Sequence, residues 1–289
     1  MLGAVQKLIT DSIEQKMLSV DCTLIMDKSI IKGAVIMNTT ELKEKWLAEE
    51  LSAQIHGWDF SYLDGRMETG DDDLPWSFPE RIAHYKKDSF RILDIDTGGG
   101  EFLLSLGHSH SLTSATEGYP PNAGLCRSRL VPLGIDFHEV TDYAHMPFED
   151  ESFDLIINRH GSFDAGELLR ILKKGGFFLT QQVGALNDRE LVEFLLPEAP
   201  IPFPENDLAQ QSELLRNTGF TIIEQDEAFR PISFSDTGAL IWFAKVIPWE
   251  FAGFSVDKCF ERLLAAEGVI AEKGRIEGRI HRFYIAAQK

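Results

Sequence analysis

The stretch from Arg91 to Leu103, Arg-Ile-Leu-Asp-Ile-Asp-Thr-Gly-Gly-Gly-Glu-Phe-Leu, constrains this chain more than any other. A short apolar run reads as a buried strand, a glycine-dense turn follows, and Glu101 opens residues able to form a helix. Glycine lets the backbone bend sharply and approach a ligand closely. The helix aims its free N–H groups back at the turn, which suits an anionic group on that ligand. Asp94, placed before the glycines, calls for positive charge or hydrogen-bond donors on the same ligand. The dinucleotide fingerprint needs a third glycine, and counting from Gly98 and Gly100 its place is held by Leu103. The phosphate-loop pattern fails as well, because no Gly-Lys-Ser/Thr follows.

Downstream spacing sharpens the reading. Residues 101–106 form a first helix and 114–118 end a second strand, with Glu117 lying 23 residues beyond Asp94. An acid about 20 residues past such a turn is placed to hold a ribose diol. Asn122 is predicted to cap a helix running to Val131, which Pro132 ends. A third strand covers 135–140, a polar turn Glu149-Asp150-Glu151-Ser152 follows, and Phe153 to Asn158 make a fourth strand. Asp164 with Glu167 is a capping-box start for a helix ending at Lys173-Lys174-Gly175-Gly176, and a fifth strand covers 177–183.

This series resembles the class I S-adenosylmethionine-dependent methyltransferases, in particular the group of ubiquinone and menaquinone methyltransferases. Asp94, Gly98 and Gly100 match the family's first motif, whereas Asp96 stands where its first glycine usually lies. The run from Asp142 through Met146-Pro147-Phe148 to Phe153-Asp154, and Leu172-Lys173-Lys174-Gly175-Gly176 before strand five, match further marks. The resemblance implies a doubly wound, Rossmann-like α/β fold: a seven-stranded, mostly parallel sheet whose last strand is antiparallel. It implies S-adenosylmethionine as cofactor, with Asp142 accepting from the adenine amino group and the Tyr143 backbone N–H meeting the ring. Asp94, Asp96, Gly98, Gly100, Glu117 and Asn158 complete the expected cofactor set.

The flanks are read as additions to that core. Residues 1–80 are expected to form a helical extension and lid, and 81–289 the methyltransferase domain with a substrate-side insertion around 225–275. Asn38, with Glu41 three residues on, starts a helix whose Leu42, Trp46, Leu47, Leu51 and Ile55 recur at helical spacing. Aromatics at Trp58, Phe60, Tyr62, Trp76 and Phe78 come just before strand one. Further helices are expected near 207–217 and 257–272, with strands at 220–224 and 279–287.

Lys and Arg number 28 against 46 Asp and Glu, a net charge of −18. Nucleic-acid binders show a basic footprint, so this balance favours a small-molecule acceptor over RNA. No apolar run approaches the length of a membrane span, and Cys22, Cys126 and Cys259 follow no pairing or metal pattern, as expected for a cytoplasmic protein. No metal ligand set is expected, and the oligomeric state is not legible.

The methyl of S-adenosylmethionine sits on a sulfonium, so methyl transfer by in-line displacement asks the protein chiefly for positioning. His160 is assigned as general base and Arg159 as a clamp for an acidic acceptor, with Trp76 and Gln181 as substrate contacts. Two alternatives stand beside this reading: an RNA methyltransferase, and a catalytically weak, cofactor-binding regulatory protein in which the extra carboxylate of Asp96 weakens binding.

Overall fold

The structure is a computed structural model and describes residues 38–55 and 59–289. The reading of residues 1–37, and Trp58, lie outside the described residues. Asn38 Oδ1 accepts from the N–H groups of Thr40 and Glu41, and Glu41 Oε2 accepts from Asn38 N at 3.0 Å, the reciprocal cap that opens α1 (Thr39–Ser52). Residues 42–289 form one compact unit.

Its frame is an eight-stranded sheet. In chain order the strands are β1 (Met67–Thr69), β2 (Ile92–Ile95), β3 (Thr113–Glu117), β4 (Asp136–Glu139), β5 (Phe153–Arg159), β6 (Leu172–Val183), β7 (Thr221–Phe234) and β8 (Ile276–Gln288). Their spatial order is β1-β7-β8-β6-β5-β2-β3-β4. The five strands β6, β5, β2, β3 and β4 pair parallel, so their carboxyl ends share one edge. The last strand, β8, lies antiparallel between β6 and β7, as the resemblance implies. The eighth strand is β1, which comes from the expected lid region and pairs antiparallel with β7.

Period-two alternation assigns side chains to the two faces. Ile92, Leu155, Ile157, Leu179, Tyr284 and Ala286 share a core with α2 (Phe78–Tyr85), α3 (Glu101–Ser105) and α4 (Pro120–Arg129). Leu93, Ile95, Ile156, Phe178, Phe283 and Ile285 share the other with α5 (Ala165–Ile171) and α7 (Leu208–Thr218). Strands buried on both faces read as continuous apolar runs, which is why 92–95 and 153–158 are legible. A third core gathers Trp46 of α1, α6 (Arg189–Leu195), α8 (Thr237–Val246) and α9 (Val256–Lys273) around the far ends of β7 and β8. Nine of the ten residues of α8 are buried, and a helix apolar all round has no solvent face to show.

The expected strand at 220–224 runs on to Phe234, and two helix boundaries also differ from expectation. The fourth helix starts at Pro120 rather than at Asn122, because proline suits the first helical positions and supplies the start itself. The fifth helix stops at Ile171, and Leu172 already pairs with Phe153. Lys173 therefore lies on β6, its ammonium 2.7 Å from the Asp154 carboxylate rather than at a helix end.

Candidate active site

The carboxyl edge of the parallel strands collects most of the expected residues. Asp94, at the end of β2, is 2% exposed, and its Oδ2 accepts from Thr97 Oγ1 at 2.6 Å. Burial raises its pKa to about 7, against the opposing Thr97 hydrogen bond and Arg159 charge. The turn then uses left-handed backbone at Asp96, Gly98 and Gly100, with φ of +55°, +63° and +84°. A Cβ on Gly100 would meet Leu130 at 2.8 Å, whereas nothing lies within 4 Å of one on Gly98. Gly100 is thus demanded by packing, and Gly98 leaves open space beside the turn.

Glu117 ends β3 next to that turn. Its two carboxylate oxygens accept from Gly98 N and Tyr119 N, each at 2.8 Å, so it ties strand end to turn. Asp96 accepts from the Tyr143 hydroxyl at 2.6 and 2.7 Å and from Ser162 N at 3.1 Å. Burial lifts its pKa to about 6; the Tyr143 bond opposes the rise and the Glu117 charge adds to it.

Other expected residues are placed differently. Asp142 is exposed and its carboxylate holds Ala144 N at 3.1 Å and His145 Nδ1 at 2.9 Å, which lowers its pKa. Tyr143 contributes its side chain, through Asp96, where the resemblance assigned a role to its backbone. Asn158 is wholly buried: its amide donates to Ile95 O at 3.0 Å and its oxygen accepts from Thr180 Oγ1 at 3.0 Å and Gln182 Nε2 at 2.6 Å. Every polar atom it carries is engaged, so it laces the ends of β2, β5 and β6 together beneath the site instead of facing a ligand.

Past β5 the chain turns outward. Arg159 is exposed, with its guanidinium 4.2 Å from the Phe102 ring centroid, and forms no ion pair among the described residues. His160 sits in left-handed backbone at φ +61° and donates its N–H to Gln181 O at 2.8 Å. The residue as a whole is exposed, but its imidazole is recessed among protein atoms. That recess, with the charges of Arg282 and Arg159, moves its pKa below the ordinary imidazole value. Gln181 Oε1 accepts from Trp76 Nε1 at 2.8 Å, and its Nε2 lies 3.5 Å from His160 Nε2. Trp76, Gln181 and His160 are therefore one contiguous group: the β5–β6 pairing sets Gln181 beside His160, and Trp76 reaches Gln181 from 105 residues away.

Sequence reasoning missed a second polar group at the same edge. Arg282 of β8 donates to Asn187 Oδ1 at 2.7 Å and to Asp71 Oδ2 at 2.9 Å. Asn187 Nδ2 in turn bridges Asp188 and Glu250 at 2.7 and 3.2 Å. Burial raises the pKa of both acids, and the Glu250 charge adds to the rise at Asp188. The one local signal, an aspartate that adopts φ +54°, is invisible before the backbone is known.

Residues 93–180 match the family described as "Methyltransferase domain". Among curated proteins the chain is 27% identical over 150 residues to the sterol 24-C-methyltransferase of Schizosaccharomyces pombe, covering 43% of this chain and 36% of that protein. It is 29% identical over 147 residues to the phthiotriol/phenolphthiotriol dimycocerosates methyltransferase of Mycobacterium tuberculosis, covering 43% and 53%. The match thus spans between about a third and a half of those proteins' lengths. A putative methyltransferase from Bacillus halodurans shares the fold at a TM-score of 0.51 and 16% identity, over 74% of this chain and 98% of that one. A functionally unknown protein from Deinococcus radiodurans does so at 0.50 and 16%, over 86% and 99%. With its parallel strands, inserted antiparallel last strand and glycine turn, the chain has the fold of those neighbours, and its residues 93–180 are similar to a methyltransferase domain.

Proposed function

We propose that the chain transfers a methyl group from S-adenosylmethionine to a small, acidic acceptor at the carboxyl edge of β2, β3, β5 and β6. The residues present suit this cofactor. Open space beside Gly98 allows close approach, and the acids Asp94 and Glu117 at adjacent strand ends suit a ligand rich in hydroxyls and positive charge. When bound, the cofactor supplies an activated methyl on a sulfonium. Gly98, Gly100, Asp94 and Glu117 would hold it, and the chain's remaining task is to orient the acceptor and manage its proton.

The observation that carries the acceptor reading is the group next to the turn: Arg159 without an ion pair among the described residues, beside a recessed His160 fixed by Gln181 and Trp76. Arg159 offers a fork to a carboxylate or phenolate oxygen. His160, held unprotonated at neutral pH, is a weak base, and a weak base matches an acceptor proton that is itself acidic. A net charge of −18 supports a small molecule over RNA, whose phosphates need a basic surface. No helix among the described residues is long and apolar enough to cross a membrane.

The test is tritiated methyl transfer from S-adenosylmethionine into a cell extract separated into small-molecule, RNA and protein fractions. Label is expected in the small-molecule fraction, with Arg159→Met raising KM at least tenfold and His160→Ala lowering kcat. Label confined to RNA or protein would refute the acceptor assignment.

A further inference from the structure

Tyr143 and Asp96 meet across a strand neither belongs to. Asp96 follows β2, Tyr143 follows β4, and β3 lies between those two strands in the sheet. Neighbouring strands are about 4.8 Å apart, so the contact bridges roughly 10 Å over the carboxyl end of β3. Consistently, a Cβ on Gly118, the first residue past β3, would come within 3.4 Å of the Tyr143 hydroxyl. Glu117 immediately precedes that glycine. In sheets of this kind ligands bind outside the carboxyl ends of the strands, so the bridge stands on ground a ligand held by Glu117 would use.

Asp96 is tightly determined. Its carboxylate takes both the Tyr143 hydroxyl and Ser162 N, joining the loops after β4 and β5. A Cβ on Gly161 would lie 2.5 Å from its own Cβ, so the loop packs flush on it. Its φ of +55° is a conformation that non-glycine residues adopt at a cost of about 1 kcal/mol. Tyr143, in contrast, is half-buried at the edge of the core in a segment without helix or strand between β4 and β5. Burial raises the Asp96 pKa to about 6, and the nearby Glu117 charge adds to the rise. The carboxylate is therefore held against an electrostatic cost that rehydration on opening would relieve.

We propose that Tyr143 and Asp96 form a gate across the cofactor mouth: their bond bars the space before Glu117, and a nucleoside cofactor enters when the Tyr143 hydroxyl leaves Asp96. The gate rests on the reading that Glu117 holds the cofactor in this cleft. It makes binding weaker and slower than the cradle alone would allow. Breaking the bond from either side therefore tightens binding, and adding the Tyr143 change to the Asp96 change adds nothing, because the Tyr143 bond is already gone.

The experiment is calorimetric titration with S-adenosylhomocysteine of wild type, Tyr143→Phe, Asp96→Gly, the double variant and Glu117→Ala, with stopped-flow tryptophan fluorescence alongside. Tyr143→Phe and Asp96→Gly are each expected to bind about tenfold tighter, equivalent to about 1.4 kcal/mol. The double variant should match the better single. The observed rate should plateau with ligand in wild type and rise linearly in Tyr143→Phe. Unchanged or weaker binding in Tyr143→Phe, together with loss in Glu117→Ala, overturns the gate alone. Wild-type affinity in Glu117→Ala, or no binding by any of the five, overturns the placement of the cofactor and the gate with it.

Discussion

Replacing Asn158 by Asp changes one atom group at the centre of the site's scaffold and makes stability there depend on pH. Asn158 is 0% exposed, donates to Ile95 O at 3.0 Å and accepts from Thr180 Oγ1 and Gln182 Nε2. A protonated aspartic acid reproduces that pattern, because its O–H donates to Ile95 O and its carbonyl oxygen accepts the other two. An ionised one sets a charged oxygen against the Ile95 carbonyl in a dry pocket. Full burial raises a carboxyl pKa by about 3 units or more, and each unit is worth about 1.36 kcal/mol. The folded pKa lies above the unfolded value near 3.9, so the variant equals wild type below about pH 4 and loses stability as pH rises toward about 7. The loss reaches about 4 kcal/mol, or roughly 8–16 °C in Tm for a chain of this size. Melting curves of wild type, Asn158→Asp and Asn158→Leu from pH 4 to 8.5 make the comparison. Asn158→Leu removes all three bonds at every pH, though Thr180 and Gln182 keep their bond to each other, and should lose stability by a nearly constant amount. A gap between Asn158→Asp and wild type that does not grow with pH would refute the closed, fully bonded pocket.

Three further outcomes are expected. Burial raises the pKa of Asp94 to about 7 and of Glu250 to about 7, and raises that of Asp188 as well. Wild-type Tm should therefore fall between about pH 4 and 8, and Asp188→Asn should flatten the fall; a Tm that rises over that range would contradict it. A Cβ on Gly184 would lie 2.2 Å from the His281 ring, which is stacked on Phe229 at 4.3 Å and bonded to Glu227. Gly184→Ala should therefore destabilise by about 2 kcal/mol or more in denaturant titration, beyond Gly98→Ala, which meets no neighbour and carries only the cost of its left-handed backbone, about 1 kcal/mol. For the proposed reaction, the acid-side break of kcat/KM should fall below the ordinary imidazole value near 6.5 and move up toward it in Arg159→Met; a wild-type break at 6.5 or above would remove His160 as the base.

The elements carrying the cofactor signal were legible because each obeys a local rule. Strands buried on both faces force apolar runs at 92–95 and 153–158. A turn in left-handed backbone calls for glycine at 98 and 100. Asp164, Asp207 and Ser255 cap the helices they precede because a side-chain acceptor there satisfies free N–H groups. The misread elements broke local rules for non-local reasons. Leu172 joined β6 because Phe153 was available to pair with it, and β1 exists because β7 presented an open edge.

What the sequence determined alone is therefore the sheet-and-turn core, since strand burial, left-handed turns and helix caps act within a few residues. Only the tertiary structure decided what each polar side chain does once there. Asn158 and Asp142 occupy expected positions, yet one is consumed by β6 and the other by His145. Asp96 looked like a misplaced carboxylate, and became intelligible when the order β2-β3-β4 brought Tyr143 across to it. A side chain's role depends on which partners reach it first, and partners 47 or 24 residues away are set by strand order and register, which no local pattern encodes.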